Sequence, residues 1–210
     1  MLALVPAYLA VLMLSASPGC PDTGATTFFD NGNGFQGYRL LGSDSYASFF
    51  VGRAFRKAAA DESGLPGRAE FWVDRLLVQW QLVPASAFGA SSSADRAKLK
   101  AWLDFELGYV KRAASKAKAS LANIHTFEPF ESRGSDDKPR LFQIWQAAVG
   151  NDGKATQFWI GTPHRKGVVM VSVIARSDED LGAAKLLIDS YMANYGPVTP
   201  ASCQRLRESS

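Results

Sequence analysis

The sequence predicts an α+β fold in which an antiparallel sheet is sandwiched with two main helices. Three observations predict it. Leu76, Val78, Trp80 and Leu82 alternate with Leu77, Gln79, Gln81 and Val83, the period-two pattern of a strand with one face on a core. Leu99, Leu103, Leu107, Val110, Ala114, Ala117 and Leu121 recur every three or four residues, one apolar stripe on a long helix from Ala94 to about Leu121. Ser177-Asp178-Glu179-Asp180 is a capping box ahead of a second stripe, Leu181, Ala184, Ile188, Tyr191, Met192 and Tyr195.

The remaining elements follow in chain order. Residues 21–42 are rich in glycine and polar side chains. Gly32-Asn33-Gly34-Phe35-Gln36-Gly37 matches G-x-G-x-x-G, but strand-like Tyr38-Arg39-Leu40-Leu41 follows where a dinucleotide site needs a helix, so the glycines are expected to mark turns. Ser45 to Ala60 has Tyr46, Phe49, Phe50 and Arg53 at helical spacing and is expected as a helix, with Phe49-Phe50-Val51 keeping a strand open. Asp61 to Gly67 is a loop, and Glu70 to Pro84 has the β pattern. Ser91-Ser92-Ser93 offers capping hydroxyls for the long helix. Then come a short strand from Ile124 to Phe130, a charged loop from Glu131 to Pro139, and a strand from Leu141 to Val149. Asn151-Asp152-Gly153-Lys154 is turn chemistry that makes a hairpin with Ala155 to Gly161. Val168 to Ala175 is almost wholly apolar, as a central strand covered on both faces should be. The acids at 178–180 suit a helix N-terminus, and Gly196-Pro197 stops the helix.

The opening residues bear on compartment. Leu2 to Leu14 is an apolar run of 13 residues followed by Ser15-Ala16-Ser17-Pro18-Gly19-Cys20. A membrane-crossing helix needs about 20 apolar residues, so this run reads as the apolar part of an export signal, although no Lys or Arg precedes it. Gly19 before Cys20 fits the lipoprotein pattern in which the cysteine is acylated; Ser17 and Pro18 fit it poorly. The alternatives are a disulfide between Cys20 and Cys203, suited to an oxidising compartment, or two free thiols. The expected organisation is an export signal over 1–19, a Gly-rich polar segment over 20–42, one α+β domain over 43–196 and a tail over 197–210.

Composition sets further limits. The chain has 210 residues, with 23 basic against 20 acidic side chains, 47% hydrophobic residues and 20% charged, which is ordinary globular usage and argues against wholesale disorder. Residues 95–118 hold seven cations (Arg96, Lys98, Lys100, Lys111, Arg112, Lys116, Lys118) against Asp95, Asp104 and Glu106, a local excess of 7 − 3 = +4 on a chain of +3. A solvated helix face is the plain explanation. Contact with anionic lipid or a cell-wall polymer is the functional alternative, and nucleic acid is not an expected partner of an exported chain.

The order strand, long helix, three antiparallel strands, closing helix over 69–195 resembles the PsbP-like group of exported photosynthetic accessory proteins and bacterial lipoprotein relatives. The residues that carry it are the Trp80 strand, the Leu99–Leu121 helix, and Gln157-Phe158-Trp159-Ile160 and Val168-Val169-Met170-Val171-Ser172-Val173 with Leu186-Leu187-Ile188-Asp189-Ser190-Tyr191. The resemblance covers about 60% of the chain as pattern. It implies an accessory or binding role and supplies no catalytic residue.

Catalytic chemistry finds little footing. His125 and His164 are the only imidazoles, and the two cysteines sit near the chain ends, so the paired nitrogen and sulfur ligands of structural zinc are missing. No serine lies in a G-x-S-x-G elbow and no Walker loop exists. Glu70, Asp74, Glu128 and Glu131 are the carboxylates on offer. Trp80 and Trp102 sit in core-patterned positions, whereas Trp72, Trp145 and Trp159 are the candidates for a small aromatic binding groove. The expectation is an exported, non-catalytic binding or accessory protein of a bacterial cell envelope, without a cofactor, taking a protein or small ligand and tethered to a membrane if Cys20 is acylated. Two alternatives stand beside it: a small envelope hydrolase using His125 with Glu128, and a structural subunit docking through exposed aromatics.

Overall fold

The computed structural model describes residues 26–30, 35–39, 46–47, 50–58, 68–89, 94–134, 137–150 and 153–197. The export signal, Cys20 and Cys203 therefore lie outside the described residues. The elements are β1 (Thr26–Asp30), β2 (Phe35–Arg39), β3 (Tyr46–Ala47), β4 (Phe50–Gly52), β5 (Phe55–Lys57), β6 (Arg68–Val73), β7 (Leu76–Pro84), α1 (Asp95–Ala117), β8 (Ser120–Thr126), β9 (Phe130–Arg133), β10 (Pro139–Gly150), β11 (Ala155–His164), β12 (Gly167–Ala175), α2 (Asp178–Asn194) and β13 (Gly196–Pro197).

Eight strands form one antiparallel sheet in the order β5-β6-β7-β12-β11-β10-β8, with β9 also paired to β10. β12 runs between β7 and β11, so the Val168–Ala175 run is central, as its composition demands. Its alternation feeds two cores. Val169, Val171, Val173 and Ala175 pack with Val78, Trp80 and the Ala184, Ile188 and Tyr191 stripe of α2. Val168 and Met170 pack with Leu99 and Trp102 of α1, and with Trp145 and Trp159. The architecture is thus α+β, one sheet between two helices. Smaller sheets, β1-β2-β4 and β3-β13, complete the described residues. β2 continues to Arg39 where a dinucleotide fingerprint would start a helix.

Both helix ends obey local chemistry. Ser177 Oγ accepts the Asp180 N–H at 3.2 Å and caps α2. α1 stops earlier than the stripe suggests because Lys118 turns left-handed at φ 53°, which passes Leu121 to β8.

Besides the earlier end of α1, three expectations are corrected. The loop expected from Glu131 to Pro139 opens with β9 (Phe130–Arg133), which pairs with β10. The described residues between Ser45 and Ala60 hold β3, β4 and β5, the strand alternative that Phe49-Phe50-Val51 kept open, and not a helix. Tertiary packing decides this. Phe50 lies flat against Tyr191 with centroids 5.5 Å apart and meets Phe71 edge-on at 5.3 Å, contacts that anchor it as a strand residue beneath α2. The β pattern from Glu70 to Pro84 is a hairpin and not one strand. Asp74 adopts φ 53° at the turn, a conformation aspartate tolerates well, and Arg75 follows. Asp74 Oδ1 also accepts the N–H groups of Arg53 and Ala54, each at 2.9 Å, while Asp74 N–H donates to the Ala54 carbonyl at 2.8 Å. One carboxylate therefore clamps the β6–β7 turn to the link between β4 and β5.

Candidate functional site

That clamp forms one wall of a cleft of about 740 Å³ between the β6–β7 turn and α2. Its apolar lining comes from Val73 and Leu76 on the hairpin and from Ala183, Leu186 and Leu187 on α2. Its charged rim is Arg53, Asp74, Arg75, Glu179 and Asp180. The acids of the capping box serve twice. Besides favouring the helix N-terminus, Glu179 pairs with the Arg75 guanidinium at 2.9 and 3.1 Å and Asp180 with the same group at 3.2 Å. Asp180 Oδ2 further accepts the Arg176 N–H at 3.3 Å. Leu186 is 73% exposed at the rim, and Ser190 Oγ lies buried in the wall with no hydrogen-bond partner among the described residues. The cleft has the size and the apolar character of a small-ligand site.

On the opposite sheet face, the one α1 packs on, a side-chain hydrogen-bond chain crosses four strands. Gln157 Nε2 donates to Ser172 Oγ at 3.1 Å, Ser172 Oγ donates to Gln79 Oε1 at 3.1 Å, and Gln79 Nε2 donates to Glu70 Oε1 at 2.8 Å. All three donors point toward Glu70, so the chain spends its polarity on a carboxylate already buried in the sheet.

The three candidate tryptophans do not meet in one groove. Trp145 and Trp159 pair across β10 and β11, stack with centroids 3.7 Å apart at 1° between planes, and are buried under α1. Trp72 is half-buried on β6, with the guanidinium carbons of Arg56 and Arg176 at 4.5 and 5.5 Å from its ring centre. Trp80 and Trp102 are fully buried.

His125 lies exposed on β8, edge-on to the Phe127 ring at 4.5 Å, and makes no hydrogen bond to Glu128 or any other carboxylate among the described residues. His164, between Pro163 and Arg165, is buried at the end of β11. Its Nδ1 accepts the Lys166 N–H at 3.2 Å and its carbonyl accepts from Lys98 Nζ at 3.2 Å. Burial first, then the charges of Lys166 and Lys98, push the imidazole below its usual pKa. Glu106 is buried on α1, and desolvation pushes its carboxyl up to about 7. Among the described residues no three His, Asp, Glu or Cys side chains come together so as to hold a metal ion.

Sequence patterning did not point to the cleft. Its walls come from segments about 100 residues apart, and Glu179 and Asp180 already had a sufficient explanation as helix-capping acids. The one available hint is the charged pair Asp74-Arg75, the first a carboxylate already on offer, interrupting an otherwise apolar β pattern.

No family model matches the chain, and no curated protein matches it. Among solved structures the chain is similar to the solution structure of cyanobacterial PsbP (CyanoP) from Synechocystis sp. PCC 6803, with 13% identity and a TM-score of 0.44 over 75% of this chain and 89% of that one.

Proposed function

We infer that this is an exported, non-catalytic binding or accessory protein that holds an apolar ligand or partner segment in the cleft between α2 and the β6–β7 turn. The observation that carries the inference is how the cleft's polar groups are employed. Asp74 is engaged by two amides, and Glu179 and Asp180 are engaged by Arg75, which leaves an apolar lining and Arg53 to meet a ligand. His125, the group a hydrolase would use, meets the Phe127 ring and is hydrogen-bonded to no carboxylate among the described residues. Export is supported by the Leu2–Leu14 run, and a tether at Cys20 by Gly19 and by the polar residues that follow. No described helix is long and apolar enough to cross a membrane.

The probe for the cleft is anilinonaphthalene sulfonate, whose fluorescence rises in apolar sites. Ala183→Trp should fill the cleft and Leu186→Asp should make its rim polar; both positions are exposed on α2, so the fold is retained. Each substitution is expected to weaken dye binding roughly tenfold, ~1.4 kcal/mol, with the melting temperature unchanged. Titrations that match the parent chain in both variants reject the cleft as the binding place. The terminus is checked by intact mass of the natively expressed protein: acyl mass on a chain starting at Cys20 supports the tether, and an unmodified product starting at Ser17 rejects it.

A further inference from the structure

The two halves of α1 treat their cations differently. In the N-terminal half each is engaged. Lys98 Nζ pairs with Asp95 at 3.5 Å and donates to the His164 carbonyl, Lys100 pairs with Asp104 at 2.8 Å, and Arg96 donates to the Pro129 carbonyl at 3.2 Å. In the C-terminal half Lys111, Arg112 and Lys116, with Lys118 just beyond, are all exposed, and none has an ion-pair partner among the described residues. No Asp or Glu occurs anywhere from residue 107 to residue 127, so the positive charge is not offset locally along the chain.

The same stretch breaks the usual surface pattern in a second way. Tyr109 is 55% exposed and Ile124 38% exposed, two of the four large apolar side chains that the described surface displays. Tyr109, Arg112 and Lys116 fall at spacings of three and four, one stripe down the helix. β8, which carries Ile124, packs beside α1. Ile124 lies where the register of β8 against β10 shifts, beside Asn123 at φ 52°, an irregularity that leaves it exposed.

We propose that the Tyr109-Arg112-Lys116 stripe of α1, with β8 beside it, is a docking surface for an anionic lipid bilayer, Arg112 and Lys116 meeting headgroup charge and Tyr109 entering the interface. Cations near such a surface are drawn by its negative potential, and an amphipathic aromatic settles at headgroup depth. A soluble polyanion would use the cations and have no use for Tyr109. The patch lies on the face opposite the cleft, so it stands or falls independently of the ligand proposed there.

The test is partitioning of the full chain onto vesicles of phosphatidylcholine, with and without phosphatidylglycerol, read as the ratio of the two so that any insertion of the N-terminal apolar run cancels. The ratio should exceed one at low salt and collapse toward one at ~1 M salt, where screening acts within ~3 Å. Arg112→Gln with Lys116→Gln should lower it by about fivefold per cation, roughly thirtyfold for the pair. Tyr109→Ser should lower it several-fold while leaving binding to dextran sulfate unchanged. A ratio of one for the parent chain, or no response to the paired glutamines, overturns the proposal. Vesicle binding that ignores Tyr109→Ser overturns it too, and assigns the patch to soluble polyanions. Unchanged melting temperatures confirm that the variants are folded.

Discussion

Replacing Trp102 with alanine is expected to lower the unfolding free energy by about 3–5 kcal/mol, a large share of the ~5–15 kcal/mol that holds a typical domain together. Trp102 is fully buried between α1 and the sheet, and its Nε1 has no hydrogen-bond partner among the described residues, so the loss is one of packing. The ring rests directly on the Gly161 backbone. A Cβ at residue 161 would overlap the ring, with Cε3 and Cη2 at 2.7 and 2.8 Å. Gly161→Ala alone should therefore cost about 1–3 kcal/mol by overpacking. With Trp102 already removed, the added methyl enters vacated space and the cost of Gly161→Ala should vanish. Urea denaturation of the four chains closes the cycle, and a coupling of ~1–3 kcal/mol is the expected result. Strict additivity would mean that the glycine serves some purpose other than admitting the indole.

Glu106 sets the second large effect. Its carboxyl titrates near 7 in the folded chain against 4.5 for the ordinary group, because burial penalises the anion. Between those values the folded state keeps a proton that the unfolded chain has released, so stability falls as pH rises from about 4.5 to about 7 and levels off above. At ~1.4 kcal/mol for each tenfold change, the loss at pH 8 is on the order of 3 kcal/mol. Glu106→Leu should recover it at pH 8 and change little below pH 4. His164, whose pKa is depressed, has the opposite slope and loses stability as pH falls through its ordinary range. The readout is therefore the difference between the parent chain and Glu106→Gln across the pH series. If the two curves run parallel from pH 4 to 8, the buried carboxyl is not the origin.

Much of this architecture can be read from local sequence, and the exceptions share a cause. α2 begins at the residue its capping box designates, since Ser177 Oγ and the Asp180 N–H are three positions apart and need no distant partner. The β10–β11 hairpin and the central place of β12 follow equally from turn chemistry and an unbroken apolar run. At β4 local sequence left helix and strand both open; the choice falls to the strand because Phe50 is held by Tyr191, more than 100 residues away, and helical spacing in SYASFFVGRAF is accidental. The hairpin turn at Asp74 escaped because an Asp-Arg pair carries none of the usual glycine or proline marks. Site legibility was poorer. Trp72, Trp145 and Trp159 are equivalent as letters, yet two are stacked in a core and one is flanked by arginines, a distinction made by which strand face each occupies. The cleft and the α1 surface depend on which charges find partners, and that is decided by tertiary neighbours.

The pairing of β7 with β12 has a consequence for how the chain is born. Leu77 aligns with Ile174 and Pro84 with Gly167, so the inner edge of the β6–β7 hairpin stays unsatisfied until some 80 further residues have left the ribosome. Closing so long a loop is slow, and a half-made sheet with Trp80 uncovered invites aggregation. A nascent polypeptide of this design must remain extended, or be escorted, until its last third is synthesised. That delay is what the export proposed above requires, because a translocation pore threads only an unfolded chain.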